Sequence, residues 1–516
     1  MSRGDVIVIG AGHNGLACAL LLARGGRKVV VLERRDRIGG IAASEEFHPG
    51  YHSAGLFAEA NRVLPTTLAR LGLEAHGLRV RPERPGILAL GSGGKGIFID
   101  PSTGLRAGSS TSSAAVSQRD ADAYPRFRAA LDRYAEILKS FLSEPALDLV
   151  KVESNGPLDM LRRAWRVRRL GKSEMLELLR LPAMSVADLL SEWFETDLLK
   201  AALALPAISG TWLGPRSPST ALNYLLWEAT AGPGVAGGGP ALVAALEKAA
   251  RAAGVEIRTS ATVERVSVVD GSVRGVVLAG GEEIAAATVA AACDPKQALL
   301  SLLEPGTIPY RLERSIQGFR TRGTTAQVLL ALTAPPRFAA RPDGAVELAR
   351  TGAHLDDLER AFDAVKYRRM SEKPILEIHV PSVATPGLAP AGGAVVSVLV
   401  HFAPYELEGG WNDALRECLG DQVVAMLEGH NPGLAKSVAA RQVLTPADLA
   451  ARYALPQGHP HHGEHSLDQW LVRPTPECGR YATPVPGLFL CSSGVHPGGG
   501  LTCGPGTLAA DAILAS

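Results

Sequence analysis

Val6-Ile7-Val8-Ile9-Gly10-Ala11-Gly12-His13-Asn14-Gly15 is the stretch on which the fold turns. Its four leading apolar residues predict a strand buried on both faces of a parallel sheet. Leu16 to Arg24 is rich in Ala and Leu and predicts a helix that ends at Gly25-Gly26. Lys28 to Leu32 predicts a second strand, closed by Glu33. The unit reads strand, turn, helix, strand, with an acid at its far end. Gly10 suits the tight turn, Gly12 a close approach to a pyrophosphate, and Gly15 the packing of helix on strand. The helix N-terminus then presents free N–H groups and a positive dipole end to the phosphates. Glu33 lies 18 residues beyond Gly15, where a carboxylate can hold ribose hydroxyls and disfavours a 2′-phosphate. The alternative, a Gly-rich turn that binds nothing, leaves the acid unexplained.

Directly after Glu33 comes Arg34-Arg35-Asp36-Arg37-Ile38-Gly39-Gly40. The Gly39-Gly40 doublet lets the backbone run close to a ligand. A simple NAD dehydrogenase has no need of it. The pattern resembles the FAD-binding Rossmann proteins related to glutathione reductase and the amine oxidases. Ile41 stands where those proteins usually carry Arg.

The rest of the composition narrows the class. A chain of 516 residues with 46% hydrophobic and 20% charged residues is ordinary globular material of several domains. The balance of 53 basic and 52 acidic residues gives no global field for nucleic acid. The 6 cysteines form no C-x-x-C pair, which excludes a zinc ribbon and a thioredoxin motif and suggests a reducing compartment. A first strand near Val6 leaves no room for a signal peptide, and no run of about 18 apolar residues is present to span a bilayer. The expectation is a cytoplasmic enzyme, with membrane contact as an open addition.

Gly237-Gly238-Gly239-Pro240 opens a predicted helix, Ala241 to Ala253. A strand at 255–258 follows, then a hairpin of 262–269 and 272–278 around Asp270-Gly271, then a strand at 288–292. Near the end, Leu488 to Cys491 predicts a buried strand and Thr507 to Ala515 a helix. Between them lie six glycines in fifteen residues, 492–506, which let main-chain N–H groups converge on an anion or a flavin ring.

These stretches together resemble the phytoene desaturase-related flavoproteins, most closely the group called pyridine nucleotide-disulphide oxidoreductase domain 2. The matching segments are GAGHNGL (10–16), LERRDRIGG (32–40), FHPGY (47–51), HGEHSLDQ (462–469), TPVPGLFLCSSGVHPGGG (483–500) and the 237–297 block. The resemblance implies a non-covalent FAD and an α/β fold. In it, an FAD-binding Rossmann-like domain of the glutathione reductase and amine oxidase type carries an interleaved α+β substrate domain. The FAD domain would comprise 1–75, 230–295 and 470–516, and the substrate domain 76–229 and 296–469. It also implies cofactor contacts at Gly10, Gly12, His13, Asn14, Gly15, Glu33, Arg34, Gly39, Gly40, Val263, Gly494, Gly500, Leu501 and Thr502. The C-x-x-x-x-C pair of disulphide chemistry is absent. Cys503, Ser492 and Val495 depart from the family's usual glycines and threonine. Cys503 reads as a small buried residue or as a flavin thioether.

Flavin dehydrogenation mainly needs a C–H bond held against the flavin in a dry pocket, with a base optional. Histidine titrates near neutrality and moves protons. Two clusters supply it, His48 to Ser53 and His459 to His465. His52, His462, Glu464, His465 and His496 are the catalytic candidates, ranked above His459 and His461. Loop packing is the competing role for each. Four histidines within seven residues also suggest a metal, but the spacing matches no zinc signature and none is expected.

Leu161 to Lys172 carries six basic residues and no acid around Trp165. It reads as an amphipathic helix on an anionic bilayer or as a solvated face. Leu198 to Ile208, broken by Pro206, reads as core or pocket wall. The leading expectation is an FAD-dependent oxidoreductase that removes hydrogen from a largely apolar small molecule and passes electrons to oxygen or a quinone. An amine or amino-acid oxidase is the second reading and predicts an aromatic cage. A flavin-dependent isomerase and a non-catalytic flavin-bound interaction protein share the same glycine motifs. Oligomeric state has no signature in the sequence.

Overall fold

The computed structural model describes residues 5–101, 104–107, 116–148 and 161–516. The few other residues of the 1–75 and 76–229 spans lie outside the described set.

Five short strands from both ends and the centre of the chain form one sheet. Their order is Leu488–Leu490, Thr288–Ala291, Val6–Ile9, Val29–Leu32, Glu256–Arg258. All neighbours are parallel, with Val6 opposite Val29 on one side and Thr288 on the other. Val6–Ile9 and Val29–Leu32 are buried at every position, as unbroken apolar runs require. Their helix spans His13–Arg24, beginning before Leu16 because Gly12 is its N-cap. The turn His13-Asn14-Gly15 is therefore already helical, and its unpaired N–H groups face outward at the strand ends. The other two glycine-led helices also begin early, at Gly238–Ala252 and Gly504–Leu514, each with a proline in its first turn. The Asp270-Gly271 hairpin joins Val263–Val269 to Ser272–Leu278 with both turn residues at positive φ.

A second, eight-stranded sheet is built from distant segments. Its order is Val438–Leu444, Thr325–Leu332, Ala394–His401, Ile375–His379, Leu348–Thr351, Ile87–Leu90, Gly96–Asp100, Gly104–Ala107. All pairs are antiparallel except Leu348–Thr351 with Ile87–Leu90. Side chains alternate between two cores. Leu88, Leu330, Ile378 and Val398 join one core, with Val423 of the helix Asp413–His430. Ala89, Ile97 and Ile375 face the other way, toward the helices Gln118–Ser143, Asp197–Ile208 and Thr220–Thr230.

The helix Asp197–Ile208 is continuous through Pro206. A proline at 206 cannot donate to the Ala202 carbonyl one turn back. Arg350, on the strand beneath, donates Nη1 to that oxygen at 3.0 Å instead. Leu203 and Pro206 then form part of a cavity wall. Among the described residues no helix is long and apolar enough to cross a membrane.

Candidate active site

The turn after the first strand opens into a cavity of about 960 Å³. Gly10, Gly12, His13, Asn14, Gly15, Glu33, Arg34, Gly40 and Val263 all line it. Gly10 takes φ +99°. A Cβ on Gly15 would lie 2.0 Å from the Gly10 carbonyl oxygen, so helix and strand meet there in backbone contact. A Cβ on Gly12 would meet nothing within 4 Å and would project into the cavity. Glu33 is buried, and its two oxygens accept from the Ala11 N–H at 2.9 Å and the Arg35 N–H at 3.0 Å. The remaining lone pairs are open to sugar hydroxyls. Arg34 turns outward and donates to the Ala451 and Arg452 carbonyls. Gly39 lies behind the lining; its N–H donates to the Ala11 carbonyl at 2.8 Å.

His13 Nε2, Asn14 Oδ1 and His462 Nδ1 are buried without hydrogen-bond partners. All three residues line this cavity. Buried polar groups are normally satisfied, so a polar ligand belongs among them. The open face at Gly12, the Glu33 carboxylate and these orphaned atoms fit a dinucleotide.

A second cavity, of about 1310 Å³, lies between the eight-stranded sheet and the helices over it. Leu348, Arg350, Glu377, His379 and Leu399 form its floor, and Tyr124, Leu203, Tyr224 and Trp227 its walls. At one end Gly500 and Leu501 enter the lining, and His13 hydrogen-bonds the Gly500 backbone from the dinucleotide side. The same end carries a column of rings. Phe57 stacks on His461 with centroids 5.3 Å apart, His461 on His465 at 4.6 Å, and His465 on Trp470 at 4.7 Å. Gly210 and Gly499 flank the His461 ring so closely that a Cβ would stand 2.2 Å from it at Gly210 and 2.5 Å at Gly499. His465 Nε2 accepts from the Gly499 N–H at 3.3 Å, so that nitrogen carries no proton. Asn223 donates to the His465 carbonyl at 2.8 Å and accepts from Trp470 Nε1 at 3.0 Å.

A match to the flavin-containing amine oxidoreductase family model runs over residues 15–514. The chain belongs to this family. It is an FAD-dependent oxidoreductase, related to the phytoene desaturases. It is 32% identical to the rat pyridine nucleotide-disulfide oxidoreductase domain-containing protein 2, over 99% of this chain and 93% of that protein. It is 27% identical to the lycopene-forming phytoene desaturase of Pseudescherichia vulneris, over 99% and 98% of the two chains. Among solved structures, putrescine oxidase bound to putrescine superposes with a TM-score of 0.61 at 16% identity, covering 100% of each chain.

Within this flavin oxidoreductase the remaining candidates separate. Of the proposed catalytic residues, His465 alone lines the second cavity, beside the lower-ranked His461. His462 lines the dinucleotide cavity instead. His52 lies on a two-residue strand against Glu46 and lines neither. Glu464 is 2% exposed and lines neither; both its oxygens accept from Arg322, at 2.6 and 2.8 Å, and Arg320 approaches at 3.4 Å. Against burial, which pushes its carboxyl up, the Arg322 guanidinium holds it below the usual range. His496 points away from the glycine tail, its Nε2 within 3.2 and 3.0 Å of the Phe141 and Glu144 carbonyls, to which it donates. His459 is satisfied at both nitrogens, by the Gly210 carbonyl and the His461 N–H. Gly494 packs against Pro295, Thr502 Oγ1 accepts from the Gly504 N–H, and Cys503 is buried off both cavities.

Arg473 lay beyond the sequence reading. It is 2% exposed and donates to the carbonyls of His461, Gly463, Glu464 and Ser493 at 2.9–3.2 Å. One guanidinium thus ties the histidine loop to the glycine tail. Its only sequence trace is a lone cation after Trp470-Leu471-Val472.

Burial pushes His13, His459 and His496 down to about 4 and His462 to about 3. His461 and His465 are also held well down by burial, with Arg62 and Arg473 adding to it. All are neutral at pH 7 in the folded protein. As pH falls, the unfolded chain takes up protons first, near 6.5, so stability is whole above about pH 6.5 and is lost progressively toward pH 4. Each such histidine contributes up to about 1.4 kcal/mol per pH unit across that window. Thermal unfolding is expected to show a steep fall in Tm between pH 7 and pH 5. A flat profile there would mean the rings are not held neutral.

Proposed function

We propose that the enzyme removes hydrogen from a largely apolar small molecule held in the second cavity, with oxygen or a quinone taking the electrons. The observation that carries this reading is the apolar lining supplied by both layers: Ile87, Ile99, Leu348 and Leu399 from the sheet, Leu203 and Pro206 from a helix. The relative named as a phytoene desaturase supports the same substrate class. Segments 1–75, 230–295 and 470–516 serve the cofactor in this reading, and 76–229 and 296–469 serve the substrate. Bound FAD supplies the two-electron oxidising power. The chain contributes a water-poor site and a neutral proton acceptor. His461 Nδ1, buried and without a hydrogen-bond partner, is that candidate acceptor.

The amine oxidase reading gains one observation. Phe57, Tyr124, Tyr224, Trp227 and Trp470 all line the cavity. Against it stands Arg62 in the same lining, which among the described residues has no carboxylate partner and disfavours a protonated amine. Anaerobic bleaching of the flavin absorbance decides between them, using a polyene, several amines and amino acids, and NAD(P)H. Bleaching by the polyene alone is the expected result. Bleaching by an amine alone would replace the proposal with an oxidase, and bleaching by none would favour an isomerase that needs prior reduction, or a binding role.

An apolar substrate also makes sense of the basic segment. Residues 161–168 are helical, and Leu161, Trp165, Leu176 and Leu179 are exposed there and on the next helix, Lys172–Arg180. Arg162 and Arg166 each meet Glu144 at 2.8 Å, an acid the local sequence did not show, while Arg168 and Arg169 remain outward. This face is proposed to rest on anionic bilayers. Flotation with phosphatidylserine vesicles should be lost in Trp165→Ala/Leu179→Ala; equal flotation would remove the contact from the proposal.

A further inference from the structure

The second cavity mixes apolar residues with a paired Arg350–Glu377 floor, and three further arginines from three separate segments converge at one place on it. Arg62, Arg84 and Arg128 gather on the last turn of the helix Thr220–Thr230. Arg84 Nη1 and Arg128 Nη1 share the buried Glu228 carboxylate at 3.1 and 2.8 Å, and Arg84 Nη2 donates to the Ala231 carbonyl. Asp132 reaches Arg128 from the solvent side at 3.3 Å. Arg62 is different. Its Nε donates to Thr230 Oγ1 at 2.9 Å, and among the described residues its two Nη groups have neither a carboxylate nor a carbonyl partner. They face the cavity beside Gly500, where a Cβ would come within 3.1 Å of Nη1.

Arg62 is half-buried, and its guanidinium turns an uncompensated positive charge to the cavity. Glu228 and the negative end of the helix offset Arg84 and Arg128. Arg62 shares that helix end through Thr230, but among the described residues no carboxylate offsets its charge. Burial lowers its pKa to about 10, so it stays charged at pH 7. Its planar fork matches a carboxylate with two parallel hydrogen bonds.

We propose that Arg62, flanked by Arg84 and Arg128, is a subsite for a carboxylate carried at one end of the otherwise apolar substrate. The proposal rests on the apolar-substrate reading above and narrows it from a hydrocarbon to an amphiphilic acid. No further step of chemistry is implied; the carboxylate anchors and orients the molecule along the cavity.

Binding of all-trans-retinoic acid and of its uncharged methyl ester to the holoenzyme tests this. Quenching of tryptophan fluorescence reports it, since Trp227 and Trp470 line the cavity. The acid is expected to bind about 10- to 100-fold more tightly than the ester, the range of a charge-assisted hydrogen-bonded pair. Arg62→Gln should abolish most of that ratio and leave ester affinity and flavin content as they were. Arg62→Lys should keep part of it, and Arg128→Gln, at a residue already paired, should reduce it less. Equal binding of acid and ester would overturn the carboxylate subsite and leave the apolar reading standing. Binding of neither would overturn both. If Arg62→Gln instead shifts the flavin midpoint potential while the acid-to-ester ratio holds, the cation serves the cofactor and the proposal falls.

Discussion

Gly12→Val is expected to give a folded protein that purifies without colour. The chain itself has room for the change. Gly12 sits at φ −73°, ψ 174°, an extended conformation open to any residue. Its Cβ would meet no protein atom within 4 Å. The branched side chain would instead fill the space through which a pyrophosphate reaches the N–H groups of the first helical turn. Flavin affinity should fall at least about 100-fold, or about 2.7 kcal/mol. The flavin-to-protein absorbance ratio after desalting measures this, alongside a Tm compared with that of flavin-stripped wild type. Full flavin occupancy in the variant would move the cofactor away from this turn. Gly15→Val is the contrast. There the added carbon would overlap the Gly10 carbonyl, so the fold itself should fail.

Arg473→Met should be the most destabilising single change near the second cavity. Methionine fills much of the volume and donates nothing. Three carbonyls, on His461, Gly463 and Ser493, would lose their donor together, while that of Glu464 keeps Gln469 Nε2 at 3.1 Å. One lost partner leaves about 1–3 kcal/mol uncompensated. Relief from burying a charge, which already pulls the Arg473 pKa to about 9, acts the other way. With three acceptors left without a donor, the loss prevails, at about 3–5 kcal/mol. Arg473→Lys should recover little, because a compact ammonium cannot span carbonyls on two segments. Urea unfolding provides the number. A midpoint equal to wild type would show that the histidine loop stands without the guanidinium.

The cofactor half was legible because its signals are local. An unbroken VIVI, glycines at fixed steps and an acid at the next strand end all lie within 33 residues. The eight-stranded sheet was not legible strand by strand. Its inner face carries Arg350, Glu377, His379 and His401, all buried or nearly so, and these charges break the apolar alternation that marks a strand. Pairing among themselves and with the cavity permits them, and pairing across distant segments leaves no local pattern. His496 illustrates the same limit at a single residue. Its neighbours in sequence are the glycines of the tail, yet its ring serves carbonyls 352 and 355 positions earlier. Conversely His461 and His465 entered one ring column because Gly210, far upstream, leaves space for the first of them.

Pro206 and Arg350 deserve to be treated as one object. A proline in the last turn of a helix leaves the Ala202 oxygen unclaimed, and a strand residue 148 positions after Ala202 claims it. The helix is thereby pinned to the sheet at a single height, and the gap between Leu203 above and Leu348 below follows from it. Pro206→Ala would return the oxygen to its own helix and set Arg350 free against Glu377. The helix would keep its buried packing but lose this tie to the strand. The gauge of the cavity is thus adjustable from a pair that also lines it, Pro206 in the wall and Arg350 in the floor. Directed changes in the gauge of this slot should start at that pair.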